Sequence, residues 1–158
     1  MRVRIGEVNM LGKSLGIRHL VCGSCNGCEH EMNALTNSFY DITREGWDLV
    51  ASPRHADVVT VTGPMTDAMR RPAFETIDAV PRPCITVAIG DCATGDGRWC
   101  GSSPSGRGAG VELGATVCVR GCPPNPDAIR AGLREAARQL DLELSHDWQR
   151  PNSTPEPS

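Results

Sequence analysis

Five short apolar runs punctuate the chain: Ile17–Val21, Trp47–Ala51, Asp57–Thr62, Cys84–Ile89 and Ala115–Val119. The third to fifth are rich in β-branched residues, and each run is short enough for a strand crossing a buried sheet. Between them apolar residues recur at helical spacing. A helix starting near Glu29 would turn Met32, Leu35 and Phe39 inward. A second, capped by Thr66 or Asp67, runs to about Val80, with Pro72 near its first turn and Pro81 and Pro83 ending it. A third is introduced by Pro126 and spans Asp127–Leu140, with Ile129, Leu133, Ala136 and Leu140 on one face. Strands that are apolar throughout, alternating with helices, predict an α/β fold: a doubly wound, mostly parallel sheet covered on both faces.

The remaining segments break this rhythm. Residues 1–16 read as an irregular arm, residues 17–146 as one α/β domain, and residues 147–158, with three prolines, as a flexible tail. Residues 93–114 are long, rich in glycine and serine and without periodicity, which marks a functional or mobile loop.

With 158 residues the chain can bury a core without disulfides. Its net charge of −3, a single lysine (Lys13) and 4% aromatic residues offer neither a basic stripe nor a stacking surface, which argues against nucleic acid as a partner. No apolar run approaches the roughly 20 residues of a membrane-spanning helix. Residues 1–16 lack the hydrophobic region of a secretion signal. The expected location is therefore cytoplasmic, with any membrane attachment made through partner subunits.

Eight cysteines are many for such a chain, and in a reducing compartment they point to metal or redox chemistry. Four of them follow the ends of presumed strands: Cys25 and Cys28 after the first, Cys92 after the fourth, Cys122 after the fifth. In a parallel sheet those ends share one edge, so the four thiols should meet. A Cys-x-x-Cys pair plus two distant cysteines, one of them followed by proline, supplies the ligands of an iron–sulfur cluster. A structural zinc ion could use the same four residues. A redox dithiol would explain only Cys25 and Cys28. Cys22 also completes a C-x-x-C-x-x-C run but ends a strand, where packing is the simpler role. Cys84 and Cys118 fall within strands, where cysteine behaves as a small hydrophobe, and Cys100 is left over.

Four ordered blocks carry a resemblance. They are Gly23-Ser24-Cys25-Asn26-Gly27-Cys28-Glu29; Ala51-Ser52-Pro53-Arg54-His55-Ala56-Asp57 with Val61-Thr62-Gly63-Pro64; Gly90-Asp91-Cys92-Ala93; and Arg120-Gly121-Cys122-Pro123-Pro124. From about Ile17 to Leu140 the chain resembles the family that unites the B-type subunit of respiratory complex I with the small subunits of energy-converting nickel–iron hydrogenases, including formate hydrogenlyase. The resemblance implies a flavodoxin-like fold and one 4Fe–4S cluster on Cys25, Cys28, Cys92 and Cys122. It implies a nickel–iron hydrogenase-type large subunit, ferredoxin-like iron–sulfur subunits and membrane subunits as partners, with the chain passing electrons and not catalytic alone. A complex I-like (NADH-quinone oxidoreductase) subunit whose cluster reduces quinone is the alternative. Complex I members have adjacent cysteines at the first pair, whereas Cys25-Asn26-Gly27-Cys28 is similar to the hydrogenase branch.

Three further positions bear on the chemistry. Glu31 is the candidate proton carrier near the cluster, while Glu29 needs no role beyond favouring the helix dipole. The resemblance implies structural or interface roles near the cluster for Arg54 and His55. Asp91, beside Cys92, either lowers the cluster potential or caps the following turn.

Overall fold

The computed structural model describes residues 14–148. Five parallel strands form one sheet in the order β2-β1-β3-β4-β5. They are β1 (Leu15–Val21), β2 (Trp47–Leu49), β3 (Val58–Thr62), β4 (Ile85–Ile89) and β5 (Val117–Val119). This is the flavodoxin-like doubly wound order, whose chain direction reverses across the sheet at β1 and β3. Five helices complete the fold: α1 (Gly27–Ala34), α2 (Asp67–Asp78), the single turns α3 (Asp91–Thr94) and α4 (Ala109–Glu112), and α5 (Pro126–Trp148).

Each face of the sheet buries its own core. On one side Ile17, Val58, Ile85, Val87 and Val117 pack with Met32 of α1, Leu35 just past its end, and Ile129, Leu133, Ala136 and Leu140 from α5. On the other, Leu20, Val59, Val61 and Ala88 meet Ala73 and Ile77 of α2, Ala93 of α3 and Ala109 of α4. Strands β3 and β4 are buried at every position, which is why their sequences do not alternate. Leu133 is fully buried between α5 and the sheet. We expect Leu133→Ala to cost about 3 kcal/mol, read as a lower denaturant midpoint with an unchanged slope.

Several expectations need correction. Strand β1 starts at Leu15, inside the segment read as an arm; residues 1–13 lie outside the described residues. Helix α1 ends at Ala34, so Phe39 falls beyond it and is 78% exposed, stacked edge-on against Tyr40. Pro72 sits in the second turn of α2, not the first. Helix α5 continues past Leu140 to Trp148, covering the first two residues of the segment read as a tail; the rest of that tail lies outside the described residues.

The long segment after β4 is tied down rather than loose. Backbone N–H groups of Gly106, Gly108 and Ala109 donate to the carbonyls of Met65, Pro64 and Gly63, and Asp67 N–H donates to Pro104. These bonds stitch residues 104–109 along the chain that leaves β3. Glu112 adds side-chain bonds to Arg70 and to the backbone N–H of Arg107.

Candidate functional site

The loops that leave β1, β4 and β5 close around one small cavity of about 100 Å³ at the carboxyl edge of the sheet. Cys25, Cys28, Cys92 and Cys122 all line it, with Ser24, Gly27, Gly63, Asp91, Gly121 and Pro123. A wider mouth of about 490 Å³ opens beside it, bounded by Cys25, Cys92, Cys122, Pro64, Arg98, Trp99 and Ser105. The topology thus brings together the four cysteines that the sequence pattern singled out.

Each cysteine is placed by a local feature. Asn26 takes the left-handed conformation (φ 72°), which asparagine tolerates, and α1 begins immediately after it. The bend between Cys25 and Cys28 therefore rests on Asn26 rather than on the glycine beside it. Cys92 lies in α3, the turn that Gly90 precedes. Asp91 locks the Cys92 and Cys122 loops to each other: its N–H donates to the Gly121 carbonyl (2.9 Å) and its carboxylate accepts from the Gly121 N–H (2.7 Å). Asp91 does not cap the turn that follows it: α3 has no side-chain cap, and the carboxylate is spent on the Gly121 N–H of the other loop.

The site is electrostatically unfavourable for bare thiolates. Burial, then the negative charge of Glu29 and of the other three cysteines, pushes the Cys28 thiol up to about 12. Burial likewise raises Cys92, helped by Cys100, Cys122, Cys25 and Asp91. Cys28 and Cys92, whose ionisation burial and neighbouring negative charge oppose, are suited to a cationic centre that takes them as thiolates. A single zinc ion would need every sulfur within about 2.3 Å of one point. The four cysteines line one cavity and offer only sulfur donors, the ligand type of iron–sulfur centres.

The other cysteines are elsewhere. Cys22 is fully buried in the second core, pushed up to about 11 mainly by burial. Cys84 is half-buried just before β4, accepting from Arg82. Cys118 is exposed on edge strand β5, contrary to its reading as a packed hydrophobe. Cys100 donates to the Cys92 carbonyl (3.2 Å), so it buttresses that loop without lining the cavity.

A polar network was missed at the sequence level. Glu29 accepts from Ser24 (2.5 Å) and from Thr62, and its carboxylate lies 3.6 Å from His19 Nε2. His19 Nδ1 pairs with Thr60 Oγ1 at 2.9 Å. Burial drives Glu29 upward, but the Ser24 and Thr62 bonds, its own backbone and His19 outweigh it, so the carboxyl falls below its ordinary value. Burial also holds His19 below its ordinary value despite Glu29. The signal was present: His19, Thr60 and Thr62 are polar residues on the same face of adjacent apolar strands. Glu31, the proposed proton carrier, is half-buried on α1 but does not line the cavity, and His30 is exposed. Arg54 and His55 are displaced from the site. The His55 carbonyl packs against Gly16 at the amino end of β1, roughly 17 Å along the strand from the cysteine edge.

Residues 25–136 match the family described as NADH ubiquinone oxidoreductase, 20 Kd subunit. The chain belongs to that family. The match begins at the first cavity cysteine and takes in the other three. Relatives span three kinds of assembly. A probable membrane-bound hydrogenase subunit, mbhJ, of Pyrococcus furiosus is 38% identical over 138 residues, covering 87% of this chain and 83% of the relative. Formate hydrogenlyase subunit 7 of Escherichia coli is 34% identical over 84% of this chain but only 52% of its own length. The B-type subunit of NADH-quinone oxidoreductase from Clostridium beijerinckii is 38% identical over 67% of this chain and 63% of its own. The chain thus spans about half to two thirds of these last two. A chain of the membrane-bound sulfane sulfur reductase, an archaeal respiratory membrane complex, superimposes with a TM-score of 0.68 at 26% identity, over 84% of this chain and 73% of that one. The family is an iron–sulfur one, and the chain is a subunit of an oxidoreductase complex. Among the described residues no helix is long and apolar enough to cross a membrane.

Proposed function

We propose that Cys25, Cys28, Cys92 and Cys122 hold one 4Fe–4S cluster. Through it the chain would relay electrons between a nickel–iron hydrogenase-type large subunit and ferredoxin-like subunits of a membrane-associated complex. The observation that carries this reading is the single cavity lined by four thiols from three loops. When bound, such a cluster supplies one-electron transfer. The chain's own residues hold it: Asn26 sets the first pair, Asp91 ties the third and fourth ligand loops, and the stitched segment 104–109 walls the mouth. The working domain would be the α/β unit from Leu15 to Trp148. The mouth at Arg98 and Trp99 is where the large subunit would seat, leaving the chain peripheral on the inner face of the membrane. Glu31, half-buried on α1, would be the carboxylate for a proton route toward that partner.

The second reading is a complex I-like subunit whose cluster reduces quinone, favoured by the identity to the Clostridium relative. Against it stand the two residues that separate Cys25 from Cys28. Quinone dependence of the assembled complex separates the two readings.

The test is iron, acid-labile sulfide and zinc content with reduced-state EPR. It uses protein prepared anaerobically after co-expression with its neighbouring subunits. We expect about four irons and four sulfides per chain. One zinc without sulfide would end the redox reading and leave a structural adaptor.

A further inference from the structure

Glu29 follows Cys28 directly, and its carboxylate is enclosed on both sides. Ser24, one residue before Cys25, donates to one oxygen; Thr62, at the end of β3, donates to the other. The Cys25–Cys28 loop is thereby pinned to β3 through one side chain. His19 lies behind it, its Nε2 buried without a hydrogen-bond partner and 3.6 Å from Glu29 Oε1. No arginine or lysine forms an ion pair with Glu29 among the described residues. A carboxylate whose two oxygens are each held by a hydroxyl donor, with no cation paired to it, is fixed in place beside Cys28. Glu29 stands behind the cavity wall next to Cys28; the acidic residue that lines the cavity, Asp91, is bonded to the Gly121 N–H, and the cation that lines the mouth, Arg98, is exposed.

We propose that Glu29 is a positioning residue: it fixes the Cys25–Cys28 loop and holds a permanent negative charge against the cluster, keeping its reduction potential low. Reduction adds an electron to a centre already ligated by four thiolates. A fixed carboxylate beside Cys28 opposes that electron electrostatically, and donors that hold the carboxylate in place fix the size of the effect. The inference rests on the cluster reading above.

The test is a reductive titration followed by EPR, comparing the native complex with complexes carrying Glu29→Gln, Glu29→Asp and Thr62→Val. Glu29→Gln keeps the shape and removes the charge, so we expect normal iron content and a midpoint shifted to more positive potential. Glu29→Asp, which keeps the charge, should stay close to the parent. If Glu29→Gln does not load, Thr62→Val decides. It leaves the carboxylate but removes the hydroxyl that partly neutralises it, so its midpoint should move to more negative potential. An unchanged midpoint in a loaded Glu29→Gln complex overturns the inference, as does an unchanged Thr62→Val where Glu29→Gln is empty. Absence of iron and sulfide from the parent complex would instead refute the cluster reading itself.

Discussion

Serine at any one of positions 25, 28, 92 or 122 should strip most of the iron and sulfide. Serine at 22, 84, 100 or 118 should leave both near the parent level. Cys25, Cys28, Cys92 and Cys122 line one cavity, so all four sulfurs are placed to serve a shared centre. Cys22 and Cys84 have other surroundings, and Cys118 faces solvent from the far strand. The informative comparison is Cys92 against Cys100. The two interact, with Cys100 bonded to the Cys92 carbonyl, but Cys100 does not line the cavity. Iron, sulfide and reduced-state EPR on each variant decide the matter. A Cys100→Ser variant that lost its iron, or a Cys92→Ser variant that kept it, would refute the ligand set. A Cys22→Ser variant without iron would refute it as well.

Which cysteines converge was legible because two regularities coincide. Apolar runs separated by helical spacing force parallel strands, and parallel strands put their carboxyl ends on one edge. Residues following three such runs must then be neighbours, whatever their separation in the chain. Packing positions in α5 were legible for the same reason: Ile129, Leu133, Ala136 and Leu140 repeat at helical spacing and are all buried. Harder to read were features set by tertiary contact alone. Phe39 continues the spacing of Met32 and Leu35, yet α1 stops before it and leaves the ring outside. Residues 93–114 carry no periodicity because their order comes from backbone bonds to Gly63–Met65, which impose no side-chain pattern.

Polar residues around the site show the same limit from the other side. Glu29 looked like an ordinary acidic residue in a first helical turn, and Glu31 the more interesting one. The difference lies in what β1 and β3 present to that helix: His19 and Thr62 face Glu29, and nothing local to α1 encodes this. Arg54 and His55 illustrate the reverse error. They stand in a well-marked block, but the block turns at the amino edge of the sheet, so motif strength and nearness to the site part company.

Alanine at Gly90 should empty the site as thoroughly as loss of a ligand, although Gly90 donates nothing to the metal. Its backbone sits at φ 89° and ψ 156°, a region essentially reserved for glycine, where any other residue costs on the order of 1–3 kcal/mol. A Cβ there would also stand 2.4 Å from the Cys28 sulfur, well inside contact distance. The Gly90 backbone has no room to yield. Gly90 N–H is bonded to the Val119 carbonyl, and the Gly90 carbonyl accepts from Ala93 and Thr94, fixing the start of the turn that carries Cys92. Relief must come from Cys28, whose sulfur would swing out of line with the other three. Gly101→Ala is the control, because Gly101 also has positive φ (78°) but nothing within 4 Å of its Cβ position. We expect Gly101→Ala to lose some stability and keep its iron. Gly90→Ala should lose both, measured as iron and sulfide per chain beside denaturant unfolding of the cluster-free protein. If Gly90→Ala bound iron like the parent, the contact between Gly90 and Cys28 would not hold that ligand in place.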